Sequence, residues 1–303
     1  MKTILVTGAS GYLGNYLIKE LRKNNFKIIC LKRNPKKYFK LDFCKTYNID
    51  ITDKNSLKTV LNDKKIDLVI HLAAIKNNHD PNIEKVNVIG TKNLIEICEQ
   101  NNVKKIIYIS STAAHSQTDL YGKTKKRAEE IIKSSKLEYV ILRVGTIYSE
   151  DSPFIINLIT LIKTIPIFTP IIGDGKYKIN PVYINDVISS IIEIINKGCI
   201  NRKTYYIVGP KPIEFNKFIN LIKKSFNINT INIHIPIFLS YFILFIIEKI
   251  KYSPLLSKSF ITSIRNQQDY PIFEARKDFN YNPIEFNEGI KRIFQESNTL
   301  LHK

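Results

Sequence analysis

The segment Thr7-Gly8-Ala9-Ser10-Gly11-Tyr12-Leu13-Gly14 begins at the last residue of a short apolar run, residues 2–7, and carries the strongest indication of the fold. Its glycines are spaced GxxGxxG, and a segment with helical periodicity follows over residues 12–23. Glycines in this position permit a tight turn and a close approach of the backbone to a diphosphate, which the free N–H groups of the helix start can bind. The sequence therefore predicts a dinucleotide-binding turn whose contacts are Gly8, Ser10, Gly11, Tyr12, Leu13 and Gly14.

The first half of the chain alternates β-branched runs with helical segments. Strands are predicted at residues 2–7, 27–31, 48–51, 67–72, 105–110 and 138–143, and helices at 12–23, 54–61, 83–99 and 120–133. Such alternation predicts crossover connections and an α/β fold with a doubly wound parallel sheet. We expect this domain to cover residues 1–150, with residues 181–200 packing back on it. Residues 151–303, in which prolines interrupt the pattern, are expected to form a smaller mixed α/β substrate-binding lobe.

Composition and charge narrow the function classes. The 303 residues are 44% hydrophobic and 24% charged, which is typical of a globular chain. The net charge of +19 attracts anions, but only eight of the 46 basic residues are arginine. Since no recognition motif accompanies the charge, nucleic acid is not an expected partner. The sequence opens without a secretory signal pattern, so a cytoplasmic location is expected.

The four cysteines are Cys30, Cys44, Cys98 and Cys199. None of them forms a CxxC pair. This spacing predicts neither a disulfide framework nor a metal site, and it is typical of a reducing compartment.

The end of the second predicted strand should meet the adenosine ribose of the dinucleotide. An NAD site usually places an acidic residue there, but no acid occurs between Glu20 and Asp42. The chain instead reads Lys32-Arg33-Asn34-Pro35-Lys36-Lys37. Because these cations suit a 2′-phosphate, we expect NADP as the coenzyme, with Lys32 and Arg33 as contacts. The alternative is that they are solvated loop residues, in which case NAD remains possible as the coenzyme.

The segment Tyr121-Gly122-Lys123-Thr124-Lys125 places a phenol and an ammonium on one helical face. A free tyrosine has a pKa of about 10, which is too high for a base at neutral pH. We expect Lys125 and a positive nicotinamide ring to lower the pKa of Tyr121. The preceding strand ends in Ser110-Ser111-Thr112, where a hydroxyl can hold a substrate oxygen. A lone YxxxK pattern is weak, but its order after the glycine turn and the hydroxyl strand is informative.

Together these motifs resemble the NAD-dependent epimerase/dehydratase family, the extended and atypical branch of the short-chain dehydrogenase/reductases, which has a Rossmann fold. The further matches extend along nearly the whole chain and are Asp50-Ile51, His71-Leu72-Ala73-Ala74, Asn87-Val88-Ile89-Gly90-Thr91, Tyr108-Ile109-Ser110-Ser111-Thr112, Leu142-Arg143, Pro181-Val182-Tyr183-Ile184-Asn185-Asp186-Val187, Phe279-Asn280-Tyr281-Asn282-Pro283 and Glu288-Gly289-Ile290. The resemblance implies that Tyr121 is the general acid/base, Lys125 its electrostatic partner and Thr112 the hydroxyl anchor. It implies additional coenzyme contacts at Asp50, Ile51, Leu72, Ala73, Ala74, Asn87, Ser110, Tyr121 and Lys125, and the lysine can also hydrogen-bond the nicotinamide ribose.

The resemblance also bears on the reaction. Ala113-Ala114 follow Thr112, whereas nucleotide-sugar 4,6-dehydratases have Asp-Glu after the hydroxyl, so that elimination is not expected. Val144 replaces the proline that usually follows Leu-Arg, and Ser149 replaces a frequent glycine. The short spacing between Thr112 and Tyr121 resembles reductase and epimerase members associated with surface polysaccharides. The implied function is an epimerase or ketoreductase acting on a nucleotide-activated sugar.

Two other functions stay open at this point. One is reduction of a non-sugar ketone, such as a steroid-like or phenolic substrate. The other is a non-catalytic NADP-binding sensor or assembly factor on the same fold. Relatives of the second kind commonly lose the tyrosine or the lysine of the YxxxK motif, whereas this chain keeps both.

Residues 235–247 form an almost unbroken apolar run, IPIFLSYFILFII. The run is too short to span a bilayer, which needs around 20 apolar residues. It is expected either to pack as a helix in the second lobe or at the contact of a homodimer, or to contact the inner membrane face peripherally. Lys249, Lys251 and Lys258 would support the membrane contact.

Overall fold

The computed structural model describes residues 1–33, 44–62, 64–165, 167–240 and 269–301, the last six of these by their backbone alone. These residues fall into two compact units. The first unit takes its described residues from Met1–Val144, Val187–Ile207 and Phe273–Tyr281. The second takes them from Gly145–Asp186, Val208–Ile272 and Asn282–Lys303.

The strands in chain order are β1 (Thr3–Thr7), β2 (Lys27–Lys32), β3 (Lys45–Asn48), β4 (Leu68–His71), β5 (Lys105–Ser111), β6 (Glu138–Val144), β7 (Thr146–Tyr148), β8 (Phe168–Ile172), β9 (Lys178–Ile179), β10 (Pro181–Tyr183), β11 (Lys203–Ile207), β12 (Ile213–Glu214) and β13 (Ile231–Ile235). The helices are α1 (Tyr12–Lys23), α2 (Lys54–Leu61), α3 (Thr91–Gln100), α4 (Ala113–Ser116), α5 (Leu120–Ser134), α6 (Pro153–Thr164), α7 (Ile184–Lys197), α8 (Phe215–Ser225), α9 (Phe273–Phe279) and α10 (Phe286–Leu301). A π-helical segment, Lys85–Gly90, directly precedes α3.

The first unit contains a parallel sheet whose seven described strands have the order β11-β6-β5-β4-β1-β2-β3. The strand order reverses at β1, which pairs with β2 on one side and with β4 on the other. In β1, Ile4, Leu5 and Val6 are fully buried, as is typical of a parallel strand covered on both faces. Ligands of such sheets bind beyond the carboxyl ends of the strands at the point of reversal, which here is the turn after Thr7.

This architecture confirms the predicted doubly wound α/β sheet, but two elements differ from their predictions. The third strand is Lys45–Asn48 rather than residues 48–51, because β2 pairs with Lys45 to Asn48 and leaves Ile49, Asp50 and Ile51 beyond the strand. The helix predicted over residues 83–99 begins with the π-helical segment. That segment contains Asn87, whose side chain bonds the backbone of a neighbouring loop.

The second unit contains short strand pairs and an aromatic core. Its pairs are β7 with β10, β8 with β13, and β9 with β12. Phe218 of α8 is fully buried, and its ring centroid lies 4.5 Å from that of Phe286 and 5.9 Å from that of Phe154. Burial of such large apolar side chains is the main stabilising contribution available to a small mixed lobe.

Most of the apolar run at residues 235–247 lies outside the described residues, as do Lys249, Lys251 and Lys258. At its described start, Phe238 is 77% exposed. Among the helices of the described ranges, none combines the length and the apolarity that a bilayer crossing requires.

Candidate active site

The glycine turn has the geometry that its sequence predicts. Gly8 has a φ of +69°, and a Cβ atom there would lie 2.6 Å from the backbone nitrogen of Ala73. Both observations require glycine, because other residues rarely adopt this φ and none could fit so close to the neighbouring chain. Helix α1 then begins after Gly11 without a side-chain cap. Its first N–H groups therefore suit an anion such as a diphosphate.

A cavity of about 140 Å³ opens beside the turn. Its lining includes six predicted coenzyme contacts, namely Gly8, Arg33, Asp50, Ile51, Ala73 and Ala74. It also includes Leu31, Ile49, Ile75 and Val86, which carry no motif signal because they are ordinary apolar residues. Apolar walls beside one guanidinium and one carboxylate suit the adenosine end of a dinucleotide. The residues present therefore fit a nicotinamide dinucleotide. Lys32 and Leu72 are not among the lining residues.

Tyr121 lies in the first turn of α5, and the start of this helix is fixed by side chains. The Asp119 carboxylate accepts a hydrogen bond from the Gly122 N–H at 2.7 Å. Asn78 accepts one from the Tyr121 N–H at 2.6 Å and donates one to Asp119 at 3.0 Å. These bonds satisfy N–H groups that a helix start would otherwise leave unpaired. They also fix the direction from which the Tyr121 side chain leaves the backbone.

The hydroxyl beside the Tyr121 side chain belongs to Ser111. Ser111 ends β5, and its hydroxyl lowers the pKa of the neighbouring phenol. The predicted anchor, Thr112, instead precedes α4, and its N–H donates to the Val144 carbonyl at 3.1 Å. Sequence spacing could not distinguish these adjacent residues, because the choice depends on where the strand ends.

The pKa of Tyr121 is raised above its ordinary value. Burial is the main cause, the Ser111 hydrogen bond opposes it, and the charge of Asp119 adds to it. The groups of the chain itself therefore hold the phenol protonated, whereas the sequence argument expected the pKa to be lowered. A protonated Tyr121 is suited to donate a proton to a substrate oxygen.

Lys125 is almost fully buried one helical turn beyond Tyr121. Its ammonium donates to the Ile109 carbonyl at 2.6 Å and lies 4.1 Å from the centre of the Tyr108 ring. Burial lowers the pKa of Lys125 to about 7, Glu129 opposes this shift, and the neighbouring charge of Lys76 adds to it. Lys76 is thus a second cation of the site. It follows the predicted motif by two residues and was missed because lysine is abundant in this chain.

A buried ion pair connects helix α5 to strand β6. Glu129 is fully buried and accepts two hydrogen bonds from Arg143, at 2.7 and 3.0 Å. The Ser110 hydroxyl donates to the same carboxylate at 2.6 Å. Burial opposes ionisation of Glu129, but the bonds from Arg143 and Ser110 outweigh it and lower its pKa. The Ser110 side chain, predicted as a coenzyme contact, thus bonds Glu129 in this structure.

His71 links the glycine turn to the following helical segment. Its Nδ1 lies 2.6 Å from the Thr7 hydroxyl and its Nε2 lies 3.0 Å from the Thr91 hydroxyl. Thr91 donates to the Asn87 carbonyl at 2.7 Å, so it accepts from Nε2–H, and His71 Nδ1 accepts from Thr7. Burial, with a smaller effect of Lys125, lowers the pKa of His71 to about 3. The imidazole is therefore neutral.

Asn87 continues this buried network to the helix that carries Tyr121. Its side chain accepts from the Ile75 N–H and donates to the Ile75 carbonyl, at 2.8 and 2.9 Å. It also donates to the Thr124 hydroxyl at 3.0 Å, and Thr124 donates to the Tyr121 carbonyl at 2.9 Å. The Asn87 side chain, predicted as a coenzyme contact, thus bonds other residues of the chain and connects the Ile75 backbone to the helix that carries Tyr121.

A glycine turn at the reversal of a doubly wound sheet, together with Tyr121 and Lys125 on one helix, defines a class of enzymes that transfer hydride with a nicotinamide dinucleotide. The NAD dependent epimerase/dehydratase family matches residues 4–209. The chain belongs to this family, and so to the short-chain dehydrogenase/reductase type of enzyme.

Named relatives illustrate the range of the family. The chain is 29% identical to dTDP-D-glucose 4,6-dehydratase of Dictyostelium discoideum, a match that covers 76% of this chain and 62% of that protein. It is 31% identical to a putative UDP-glucose 4-epimerase of Methanocaldococcus jannaschii, over 64% of this chain and 73% of the relative. The chain thus spans less than two thirds of the length of the first relative.

A solved structure shares the fold over almost the whole chain. It is UDP-glucuronic acid 4-epimerase from Bacillus cereus in complex with UDP-glucuronic acid and NAD, with a TM-score of 0.75 and 21% identity. The match covers 98% of this chain and 99% of that one. At this identity, the likeness establishes the fold alone.

Proposed function

We propose that this protein is an NAD(P)-dependent epimerase or ketoreductase acting on a nucleotide-activated sugar, with Tyr121 as the general acid/base. The observation that carries the proposal is the placement of the Ser111 hydroxyl beside Tyr121, where it lowers the pKa of the phenol, with Lys125 one turn further along the helix. The named relatives that act on nucleotide sugars support the substrate class. Ala113 and Ala114 supply no acid beside the hydroxyl, which favours epimerisation or reduction over elimination.

The roles of the residues follow from their chemistry. The Gly8 turn and the start of α1 bind the diphosphate of the coenzyme, and Arg33 and Asp50 contact its adenosine end. When bound, the nicotinamide ring supplies or accepts the hydride. Tyr121 donates its proton to the substrate oxygen during reduction and removes a proton from the substrate hydroxyl during oxidation. Lys125, in its charged form, stabilises the phenolate that remains.

We assign the hydroxyl anchor to Ser111 rather than to Thr112. Ser111 contacts the phenol, so it can hold the substrate oxygen and the Tyr121 proton in one geometry. Ser111→Ala should lower kcat by roughly 10²-fold. Thr112→Ala is the matched control and should retain activity. A larger loss for Thr112→Ala than for Ser111→Ala would contradict this assignment.

The central test is Tyr121→Phe, assayed with UDP-, GDP- and dTDP-sugars for epimer formation and for NADPH oxidation. We expect kcat to fall by roughly 10²- to 10⁴-fold because the proton donor is lost, while coenzyme binding is retained. Tyr139→Phe, on a buried tyrosine of β6, is the control and should remain active. Unchanged turnover by the Tyr121 variant would refute the proposed mechanism.

The substrate class has its own test. A thermal-shift series with UDP, GDP and dTDP should reveal at least one nucleotide that stabilises the protein, because a ligand that binds only the folded state raises its melting temperature. Stabilisation by none of the three would contradict a nucleotide sugar. It would favour the alternative of a non-sugar ketone.

We also propose that the coenzyme is NADP. Strand β2 ends at Lys32 without an acidic residue, and Arg33 lines the cavity beside Gly8. NADPH should bind at least tenfold more tightly than NADH, which corresponds to about 1.4 kcal/mol. Arg33→Ala should weaken NADPH binding and leave NADH binding nearly unchanged. Equal affinities of the wild type for the two coenzymes would contradict the preference.

A further inference from the structure

Two cysteines that are far apart in sequence meet beside the adenosine cavity. Cys30 is buried in β2, and Cys44 lies directly before β3. The Cys30 thiol donates to the Cys44 sulfur, and the two sulfur atoms are 2.9 Å apart. The Thr46 hydroxyl lies 3.5 Å from the Cys44 sulfur. No disulfide joins Cys30 and Cys44, and their spacing in the sequence gave no indication of this contact.

The two sulfur atoms differ in acidity. The hydrogen bond from Cys30, helped by Thr46 and by the charge of Lys32, lowers the pKa of Cys44 to about 6 against the effect of burial. The same contact and burial raise the pKa of Cys30. At neutral pH the pair therefore consists of a thiolate at Cys44 and a thiol at Cys30. A thiolate next to a second thiol is the usual arrangement of a reversible redox pair.

We propose that Cys30 and Cys44 are a redox-active dithiol that hydrogen peroxide converts into an intramolecular disulfide. The Cys44 thiolate attacks one peroxide oxygen, the O–O bond breaks, and with one proton from solvent the products are a sulfenic acid and water. The Cys30 sulfur then attacks the Cys44 sulfur, and the S–O bond breaks with loss of a second water. The two thiols lose two electrons in total, and one peroxide is reduced to two waters. A dithiol reductant reverses the step.

The position of the pair connects this modification to the coenzyme. Cys30 directly precedes Leu31, and Leu31 and Arg33 line the cavity that fits the adenosine end. Closing the disulfide draws Cys44 toward β2, the strand that contains Leu31 and leads into Arg33. Oxidation should therefore weaken NADPH binding. This inference goes beyond the proposed function because the disulfide forms whether or not the chain turns over a sugar.

The remaining cysteines provide controls within the same chain. Cys98 is fully buried and burial raises its pKa, so it should not react. Cys199 is exposed and lies outside the pair, so Cys199→Ser should still form the disulfide. Cys30→Ser should stop at the sulfenic acid, which dimedone traps on Cys44. Cys44→Ser should form no intramolecular disulfide.

The test treats the reduced full-length protein with hydrogen peroxide and analyses it by mass spectrometry without reduction. We expect a mass loss of about 2 Da and a cross-linked peptide pair that contains Cys30 and Cys44. NADPH titration by fluorescence should give an affinity about fivefold weaker after oxidation, and dithiothreitol should restore the original affinity. In Cys44→Ser, peroxide should leave the NADPH affinity unchanged.

Absence of the Cys30–Cys44 peptide, or oxidation that yields only intermolecular links through Cys199, would overturn the dithiol. Equal NADPH affinity of the oxidised and reduced protein would overturn its connection to the coenzyme. If the protein binds no NADPH in either state, the proposed coenzyme is wrong, while the peptide analysis still decides whether the dithiol exists.

Discussion

The two units differ in how completely their buried polar side chains are hydrogen-bonded. In the first unit, Glu129, His71 and Asn87 are at most 1% exposed, and each has hydrogen-bond partners on more than one element. In the second unit, Tyr148 is equally buried, but its hydroxyl has no hydrogen-bond partner within the described residues. Asp186 of the same unit is half-buried and accepts a backbone bond from the Ile284 N–H at 3.1 Å.

The complete pairing of buried side chains in the described part of the first unit indicates that the residues around Tyr121 and Lys125 have to be held in fixed positions. A buried network holds its members in one arrangement only when every polar group is paired. In the first unit, this network reaches the Tyr121 carbonyl through Thr124, and its member Glu129 raises the pKa of Lys125. An unpaired buried group costs about 1–3 kcal/mol, and the second unit carries such a group at Tyr148. The second unit is stabilised mainly by apolar packing around Phe218, which does not require every polar group to be paired.

The largest expected effect of breaking a paired group is that of Glu129→Ala. Removal of the carboxylate leaves the Arg143 guanidinium in a mostly buried position without its partner, since the side chain is only 12% exposed. We expect the free energy of unfolding, measured by urea denaturation, to fall by about 3 kcal/mol. The pKa of Lys125 should also fall further, because Glu129 is the charge that raises it.

Glu130→Ala provides the control for that measurement. Glu130 is the next residue along α5, but it is exposed and forms a surface ion pair with Lys126 at 3.6 Å. Its loss should change stability by less than about 0.5 kcal/mol. A similar loss in the two variants would show that the buried network contributes no more than a surface pair.

The second effect concerns Asp186→Asn and depends on pH. Burial is the main cause that raises the pKa of Asp186 to about 6. A raised pKa means that the folded state holds the proton more tightly, so this group stabilises the fold fully below about pH 4. That contribution is lost as the pH rises through 6. The substituted amide does not ionise, and its oxygen can still accept from the Ile284 N–H. The variant should therefore be more stable than the wild type by about 1 kcal/mol at pH 7.5 and no more stable at pH 4.

Urea denaturation at both pH values tests this prediction. Asp174→Asn, in an exposed turn of the same unit, is the control for general loss of negative charge. If Asp186→Asn is destabilising at pH 7.5, the carboxylate has a charged role in the second unit, and the comparison with Glu129 fails.

The smallest effect is that of Tyr148→Phe. Since the hydroxyl is buried without a partner in the described structure, its removal should stabilise the protein by up to about 1 kcal/mol. Tyr205→Phe is the matched change at a paired hydroxyl, because Tyr205 donates to Asp278 at 2.5 Å. That variant should be destabilised by about 1 kcal/mol. The melting temperature should rise in Tyr148→Phe and fall in Tyr205→Phe. A lower melting temperature of Tyr148→Phe would show that the Tyr148 hydroxyl is paired in solution.

Much of the fold could be predicted because its signals are local. Helices α1 and α2 have the predicted bounds, and five predicted strands of the sheet lie within two residues of the observed ones. The third strand was displaced because a short edge strand is selected by pairing with β2 and not by its own composition. The π-helical segment could not be predicted, since its amphipathic pattern matches that of an ordinary helix.

In the candidate site, too, contacts that follow from local motifs could be predicted, whereas contacts that depend on the fold could not. Gly8 and Arg33 were predicted to contact a coenzyme, and the structure places both at one cavity. Thr112 was the predicted hydroxyl anchor, whereas our proposal assigns that role to Ser111, because which hydroxyl lies beside Tyr121 depends on where β5 ends. Lys76 was overlooked because it carries no pattern of its own and affects Lys125 only through the fold.

Local patterns in the chain predicted the alternating strands and helices of the doubly wound sheet, the glycine turn and the helical spacing of Tyr121 and Lys125, because each of these signals lies within a few neighbouring residues. The tertiary structure was needed to place the Ser111 hydroxyl beside Tyr121 and to show that burial raises the pKa of that phenol. It also brought Cys30 and Cys44 together from 14 residues apart. Desolvation and contact between distant residues arise from packing, and packing is a property of the whole fold rather than of any segment.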